Sequence, residues 1–183
     1  MKKYVDYLPE IVYRDLVTKI AITGFGLEES NKITRELANH YKTNLNEISL
    51  QTPESLEELQ SITDKKLDEF MSFQIFKDSN NFTFFNNTLL DNYVVSEGIL
   101  REYNPELFEK AIVNLRKYDI VLFNSSENGV TNNVENIFLN NQIKSILDTH
   151  HIPYIQLEGS HKEKMAQAMK AININFKKKL FHE

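Results

Sequence analysis

The sequence predicts an α/β domain with three layers, in which a five-stranded, mostly parallel sheet has helices on both faces. Short apolar segments alternate along the chain with longer segments that carry apolar residues at helical spacing. Strands separated by helices need crossover connections, which are typical of parallel sheets. The apolar run in residues 119–123 is also continuous, as expected for a strand that is covered on both faces. Together these observations predict helices on both sides of one sheet.

The predicted strands are short and each is followed by a turn or a helix. The first is an apolar run that stops at Gly24, and the second alternates apolar and polar side chains before Pro53. The third is rich in phenylalanine. In chain order, the predicted strands are residues 19–24, 47–52, 81–85, 119–123 and 153–157.

The predicted helices follow from apolar residues that recur at helical spacing. Phe70, Phe73 and Phe76 extend the apolar stripe of the second helix and are assigned to the core. Thr88 is predicted as the N-cap of the third helix, where Asp91 either caps the helix or faces solvent. In chain order, the helices begin at Ser30, at Pro53, at Thr88 (to about Arg101), at Pro105 (to about Lys117), after the loop 124–133 (to His150) and after Gly159 and Ser160.

Composition excludes several classes of function. A chain of 183 residues has the length of one domain. We predict an N-terminal arm at residues 1–18 and a single domain at residues 19–183. The net charge of -5 argues against binding of a nucleic-acid backbone as the main task, because that requires a clustered basic surface. The absence of cysteine excludes disulfides and thiolate chemistry. No apolar run is long enough for a membrane span, and the expected location is the cytoplasm.

Five segments occur in the order that a known fold family shows. They are Lys19–Gly24, Phe84–Asp91, Tyr118–Phe123, Asn128–Val130 and Ile152–Ser160. In this order they resemble the P-loop kinase-like NTPases, specifically the AAA-type ATPase domains related to ribosylnicotinamide kinase and the nucleoside monophosphate kinases. The resemblance covers about residues 19 to 172 and implies a P-loop NTPase-like domain. In that family the first strand leads into a phosphate-binding loop.

The phosphate loop itself departs from the motif G-x-x-x-x-G-K-[ST]. In the motif, backbone N–H groups wrap the phosphates, the lysine neutralises charge and the hydroxyl binds magnesium. Counting from Gly26 places Lys32 at the lysine position, whereas counting from Gly24 loses the lysine. A plain turn into a helix at Gly24 and Gly26 is the competing interpretation. With Gly26 as the first glycine, Asn31 replaces the second glycine, Ile33 replaces the hydroxyl, Thr34 comes one position late, and Glu28 and Glu29 lie inside the loop.

Three further positions that match the family's motifs also lack their charges. Asn86 stands where the family has an aspartate after the third strand, and Asn87 where it has an arginine. Thr131 matches an arginine of the lid. An amide does not replace a carboxylate beside a divalent cation, and a hydroxyl does not stabilise charge on a transferred phosphoryl group. The resemblance therefore implies degenerate motifs within residues 19–183.

The histidines give weaker signals. His150 and His151 are adjacent, so on a helix they point in different directions and do not form a metal-binding pair. We predict no metal site. Gly159, Ser160 and His161 match the loop that in related kinases lies beside the nucleotide base; His161 is either a stacking or hydrogen-bonding residue there or a solvated loop residue.

The leading hypothesis is a catalytically impaired protein that acts as a binding or regulatory module, with no catalytic residue assigned. Its expected partner is a protein, a second copy of the chain or a small anionic ligand. The alternative is a divergent kinase or ATPase that uses ATP or GTP with magnesium on a nucleoside, nucleotide or ribosylnicotinamide-like substrate. The residual nucleotide-binding set would be Gly24, Gly26, Ser30, Asn31, Lys32 and Thr34.

A third hypothesis keeps nucleotide or anion binding at the N-terminus of the first helix but needs no magnesium. The many Asn and Lys residues and the few Gly residues are typical of a low-GC genome, such as that of a bacterium or its phage.

Overall fold

A computed structural model describes residues 18–25, 27–47, 53–72, 82–124 and 134–181. The predicted N-terminal arm lies outside the described residues except for Thr18, which is the first residue of a strand. The strands are β1 (Thr18–Thr23), β2 (Asn44–Glu47), β3 (Phe82–Asn86), β4 (Ile120–Asn124) and β5 (Ile155–Leu157). The helices are α1 (Leu27–Tyr41), α2 (Leu56–Ser72), α3 (Leu89–Leu100), α4 (Pro105–Leu115), α5 (Val134–Thr149) and α6 (His161–Phe181).

The described strands form one sheet in the order β2-β3-β1-β4-β5, and every neighbouring pair is parallel. Strand β1 lies in the middle, with Ile22 opposite Asn86 of β3 and opposite Leu122 of β4. The prediction of an α/β domain with a parallel sheet is confirmed. Because all strands run the same way, their carboxyl ends meet at one edge, where open α/β sheets bind ligands.

Alternate residues of the central strands face two separate apolar clusters. On one face, Ala21, Phe85 and Val121 pack with α2, α3, α4 and α5. On the other, Ile22 and Leu122 pack with α1 and α6. Each strand is therefore buried on both sides, which is why the strands read as nearly continuous apolar runs. The predicted three layers are confirmed.

Several element boundaries differ from the prediction, among them the starts of the second strand and of α1. The second strand includes Asn44–Glu47; of the predicted residues 47–52 only Glu47 is described, and 48–52 lie outside the described residues. Strand β2 pairs with β3, and Leu45 packs against the α1–α6 cluster. These contacts fix the position of the strand, and the alternation of side chains in the sequence does not show them. Helix α1 starts at Leu27, three residues before the predicted Ser30, because Glu28 and Glu29 suit a first helical turn.

No helix in the described parts of the chain is long and apolar enough to cross a membrane. Of the predicted core phenylalanines, Phe70 is buried and packs on Phe85 with ring centroids 5.4 Å apart. Phe73 and Phe76 lie outside the described residues.

We predict that Phe85→Ala lowers the free energy of unfolding by about 3–5 kcal/mol, because it leaves a cavity between Phe70 and Tyr118. Urea denaturation followed by circular dichroism measures the change. The control is Phe138→Ala, which removes a side chain that is 65% exposed and which we expect to cost less than about 1 kcal/mol. Equal losses in the two variants would contradict the assignment of the core.

Candidate functional site

Buried polar side chains end the three central strands. Thr23 ends β1, Asn86 ends β3 and Asn124 ends β4, and all are almost completely shielded from solvent. Helix α1 starts directly after β1 and brings its first turns against the same edge. This edge is the candidate site, since polar groups buried at the carboxyl end of a parallel sheet need partners from the protein or from a ligand.

The connection from β1 to α1 is short, and its described residues are Gly24 and Phe25. Gly24 has a φ of +110°, and a Cβ atom there would lie 2.6 Å from the backbone oxygen of Asn124. Asn140 of α5 holds the next residue: its Oδ1 accepts from Phe25 N at 2.6 Å, and its Nδ2 donates to Phe25 O at 3.0 Å. The turn is therefore closed by β4 on one side and by α5 on the other.

Asp91 in the first turn of α3 is completely buried and binds the end of β1. Its Oδ1 accepts from the Thr23 hydroxyl at 2.7 Å and from Gly24 N at 2.8 Å. Its Oδ2 accepts from Thr88 N at 2.6 Å and from the Thr88 hydroxyl at 2.7 Å. Thr88 is the N-cap of α3 in a capping box with Asp91, as predicted for Thr88. The alternative that Asp91 faces solvent is wrong, because its side chain is completely buried. One carboxylate oxygen accepts from the end of β1 and the other from the start of α3.

Burial raises the pKa of Asp91 above its ordinary value of 3.8. Desolvation disfavours the charged form, and the hydrogen bonds from Gly24, Thr23 and Thr88 offset only part of that penalty. The site therefore contains a carboxyl group whose oxygens are already occupied by four donors.

The first two turns of α1 are held between β3 and β4. Asn31 and Asn86 pair through their side-chain amides, and the Asn124 amide donates to the Ser30 hydroxyl at 2.8 Å. The Asn124 oxygen in turn accepts from the ammonium of Lys164, at 2.9 Å. Polar groups of α1, β3, β4 and α6 thus pair with one another where the helix meets the sheet, and among the described residues only Asn86 Oδ1 of this group has no hydrogen-bond partner.

Lys164 of α6 provides the buried positive charge at this edge. Its Nζ lies 2.7 Å from Glu29 Oε2, and its side chain is 4% exposed against 29% for that of Glu29. The pair joins α1 to α6 across the end of β4. The motif predicts no such pair, because it places Glu29 in the phosphate loop and does not include Lys164.

The predicted phosphate-loop residues separate into two groups. Ser30 and Asn31 lie at the strand edge, as described above. Lys32 is exposed on α1, and Ile33 is buried in the α1–α6 core. The Thr34 hydroxyl donates to the backbone oxygen of Ser30 at 2.6 Å, a bond within its own helix. Since helix begins at Leu27, the segment that the motif would use as a loop is already helical.

The other predicted positions lie around this edge or outside the described residues. Asn87 follows β3 with a φ of +64°, and its N–H donates to Ile22 O at 2.9 Å. Ser160 forms a capping box with Glu163, and Gly159 precedes it with a φ of +89°. Gly26 and Thr131 lie outside the described residues.

His161 is half-buried as the first residue of α6, and its Nε2 lies 2.9 Å from Glu36 Oε2 of α1. The expectation of a solvated loop residue is therefore wrong. Its pairing with α1 arises because α6 packs along α1, which no local sequence pattern shows. In the described residues, no group of three or more His, Cys, Asp or Glu side chains is arranged to hold a metal ion.

Sequence reasoning missed Asn124, Asn140 and Lys164. A polar residue at the end of a fully apolar strand was an available signal for Asn124. Asn140 and Lys164 lie in helices with ordinary polar composition, so only the packing of α5 and α6 brings them to the edge.

No protein-family model matches this sequence, and no curated protein has a similar one. Solved structures do share its fold. A NadR protein in complex with NAD and AMP-PNP is similar with a TM-score of 0.68 at 9% identity, over 91% of this chain and 51% of that chain. This chain thus spans about half the length of that protein.

Two thymidylate kinases are similar over nearly their whole length. The enzyme from Candida albicans has a TM-score of 0.61 at 15% identity, over 87% of this chain and 93% of that chain. The enzyme from Ehrlichia chaffeensis has a TM-score of 0.57 at 13% identity, over 85% and 98%. The chain has the P-loop kinase-like NTPase fold, as the order of its motifs predicted. A shared fold at these identities does not establish a shared activity.

We expect Gly24→Ala to lower the free energy of unfolding by about 2 kcal/mol or more, since the new Cβ meets backbone and the φ is unfavourable for alanine. The matched control is Gly98→Ala on α3, where nothing lies within 4 Å of the added atom. That change should raise stability by about 0.5–1 kcal/mol, because alanine is the better helix former. Thermal denaturation separates the two, and stabilisation by both would rule out the turn geometry.

The raised pKa of Asp91 predicts a pH dependence with a definite sign. The folded state holds this proton to a higher pH than the unfolded state, so the contribution of Asp91 to stability falls as pH rises from 3.8 through the folded pKa. A ¹³C NMR titration of the carboxyl group should have its midpoint above 3.8. The free energy of unfolding of the wild type minus that of Asp91→Ala should shrink over the same interval. A midpoint below 3.8 would show that the four hydrogen bonds outweigh burial.

Proposed function

We propose that this chain is a P-loop kinase-like protein that has lost phosphoryl transfer and serves as a binding or regulatory module for a small anionic ligand or a protein partner. The observation that carries the proposal is that the polar groups at the strand edge bind one another. Ser30 pairs with Asn124, Asn31 with Asn86, and Glu29 with Lys164. A transferase needs such groups directed at its substrates.

The residues at the positions that would bind magnesium give the proposal its clearest chemical support. Phosphoryl transfer in P-loop enzymes uses a hydroxyl and a carboxylate on the metal. Here Ile33 stands at the hydroxyl position, and Thr34 uses its hydroxyl within α1. Asn86 and Asn87 are neutral amides.

Asp91 does not take over the missing carboxylate without loss of structure. This buried acid contacts the β1–α1 turn directly, because it accepts hydrogen bonds from Thr23 and Gly24. To bind magnesium it would have to give up donors that connect β1 to α3, and each such bond to a buried charge contributes about 1.5–3 kcal/mol. Glu29 is likewise paired, with the buried Lys164.

The alternative, a divergent ATP- or GTP-dependent kinase or ATPase, draws on the fold that this chain shares with thymidylate kinases. It requires Lys32 to reach phosphates from its exposed place on α1 and an acid outside β3 to hold magnesium. The two functions therefore differ in whether Lys32 matters.

We expect no turnover of ATP or GTP with magnesium above the rate without protein, and no effect of Lys32→Ala. Lys65→Ala, which removes another exposed lysine on α2, is the control for surface charge. Phosphate release from each nucleotide is measured for all three proteins purified in parallel, so that a contaminating ATPase appears equally in each. Turnover that only Lys32→Ala abolishes would overturn the proposal in favour of the alternative. Thermal stabilisation by ADP that persists with a chelator would support metal-independent anion binding.

A further inference from the structure

The two helical layers of the domain carry charges of opposite sign. Helices α1 and α6, which cover one face of the sheet, contain eight Lys or Arg residues and four Asp or Glu residues. Helices α2, α3, α4 and α5, which cover the other face, contain four Lys or Arg residues and eleven Asp or Glu residues. The two sides of the sheet therefore differ in sign, although the formal net charge of the whole chain is -5.

Exposed lysines on the α1–α6 layer define a basic face. It consists of Lys32 on α1, Lys42 just after α1, and Lys162 and Lys170 on α6. No ion pair joins any of these four lysines to another residue in the described parts of the chain. Their ammonium groups are therefore available to an anionic surface from outside.

Most carboxylates of the same layer already have internal partners. Glu29 and Glu36 of α1 lie 2.7 Å and 2.9 Å from basic side chains of α6. Glu163 accepts hydrogen bonds from the N–H and the hydroxyl of Ser160, and these bonds lower the pKa of its carboxyl group. Because these acids are engaged within the molecule, the exposed lysines dominate the charge that the layer presents.

Exposed carboxylates of two adjacent helices on the other side of the sheet define an acidic face. It consists of Glu57 and Asp68 on α2 and Glu106 and Glu109 on α4. Lys110 of α4 joins the two helices, since its Nζ lies 3.1 Å from Asp64 of α2 and 3.3 Å from Glu106. One lysine thus serves two carboxylates, and the face keeps an excess of negative charge.

Each face also exposes a large apolar side chain among its charges. Ile174 on α6 is 47% exposed, one turn beyond Lys170. Val113 on α4 is 44% exposed, one turn beyond Glu109. Specific protein interfaces combine an apolar centre with a polar rim, and a contact between the two faces would have this composition.

We propose that the protein partner of this module is a second copy of the chain, with the basic face of one copy docked on the acidic face of the next. The inference rests on the proposed function, because it specifies the partner of a non-catalytic binding module. The two faces lie on opposite sides of the sheet, so the contact is heterologous. Each copy keeps one face for a further copy, and assembly grows with protein concentration.

The pattern of charges favours a protein surface over a continuous polyanion. Glu28 and Glu163 are exposed beside the basic face, where they repel a nucleic-acid backbone or a uniformly anionic membrane. The acidic face has a mixed pattern too, because Lys65 is exposed on α2 beside Asp64. Repulsion between whole molecules of net charge -5 is screened beyond about 10 Å at 0.1 M salt, whereas groups in contact are closer than that.

The test is sedimentation velocity of the full chain over a range of concentrations, at about 50 mM and about 500 mM sodium chloride. We expect the average mass to rise above 21.4 kDa with concentration in low salt and to return to that value in high salt. Lys162→Glu with Lys170→Glu reverses the basic face, and Glu57→Lys with Asp68→Lys reverses the acidic face. Each double variant should associate with itself at least about tenfold more weakly than the wild type.

Charge exchange distinguishes a specific contact from damage to the fold. The chain that carries all four substitutions should regain self-association, because its two faces have exchanged signs. An equal mixture of the two double variants should also associate, although neither does so alone. The matched control is Asp148→Lys with Glu158→Lys, two exposed acids outside both faces, which changes the net charge as much as the acidic-face variant does. It should associate as the wild type does.

The proposal is overturned if the wild type remains a monomer in low salt, if the fourfold variant does not regain association, or if the control variant loses as much as the acidic-face variant. A monomer that binds phosphatidylglycerol vesicles or duplex DNA through Lys162 and Lys170 also overturns it and assigns the basic face to that partner. Absence of nucleotide turnover decides the proposed function separately from these results.

Discussion

The buried carboxylate of Asp91 is the interaction on which the geometry of the strand edge depends. It accepts hydrogen bonds from the end of β1 and from the start of α3. It therefore joins two segments that are adjacent in space but distant in sequence. Because Gly24 is one of its donors, the carboxylate also holds the turn that directs α1 across the sheet. A buried charge with four donors keeps one arrangement, since any other leaves polar groups unsatisfied.

The start of α1 follows from that turn. With Gly24 fixed and Phe25 held by Asn140, helix begins at Leu27 and places Glu29, Ser30 and Asn31 at the edge. In a phosphate loop the same stretch of backbone would be open, and its N–H groups would face the ligand. Here the side chains of Glu29, Ser30 and Asn31 bind side chains of α6, β4 and β3 instead.

The fold and the polar contacts of the strand edge rest on different residues. The nearly continuous apolar runs of the central strands and the apolar stripes of the helices build the three layers, and a fold of this kind supports many functions. The edge is built from polar residues at strand ends, such as Asn86 and Asn124. The residue type at such a position sets the chemistry of the edge without contributing to the apolar core packing.

The amino-acid sequence is sufficient to predict the elements whose signals are local. Apolar runs and helical spacing were enough for the parallel sheet and its helices, and the pattern Thr88-x-x-Asp91 was enough for the N-cap of α3. It did not determine that Asp91 is buried, that β2 lies at Asn44–Glu47, or that Lys164 and Glu29 meet. These features depend on packing, because burial, strand pairing and a contact between the first and last described helices arise between segments that are far apart along the chain.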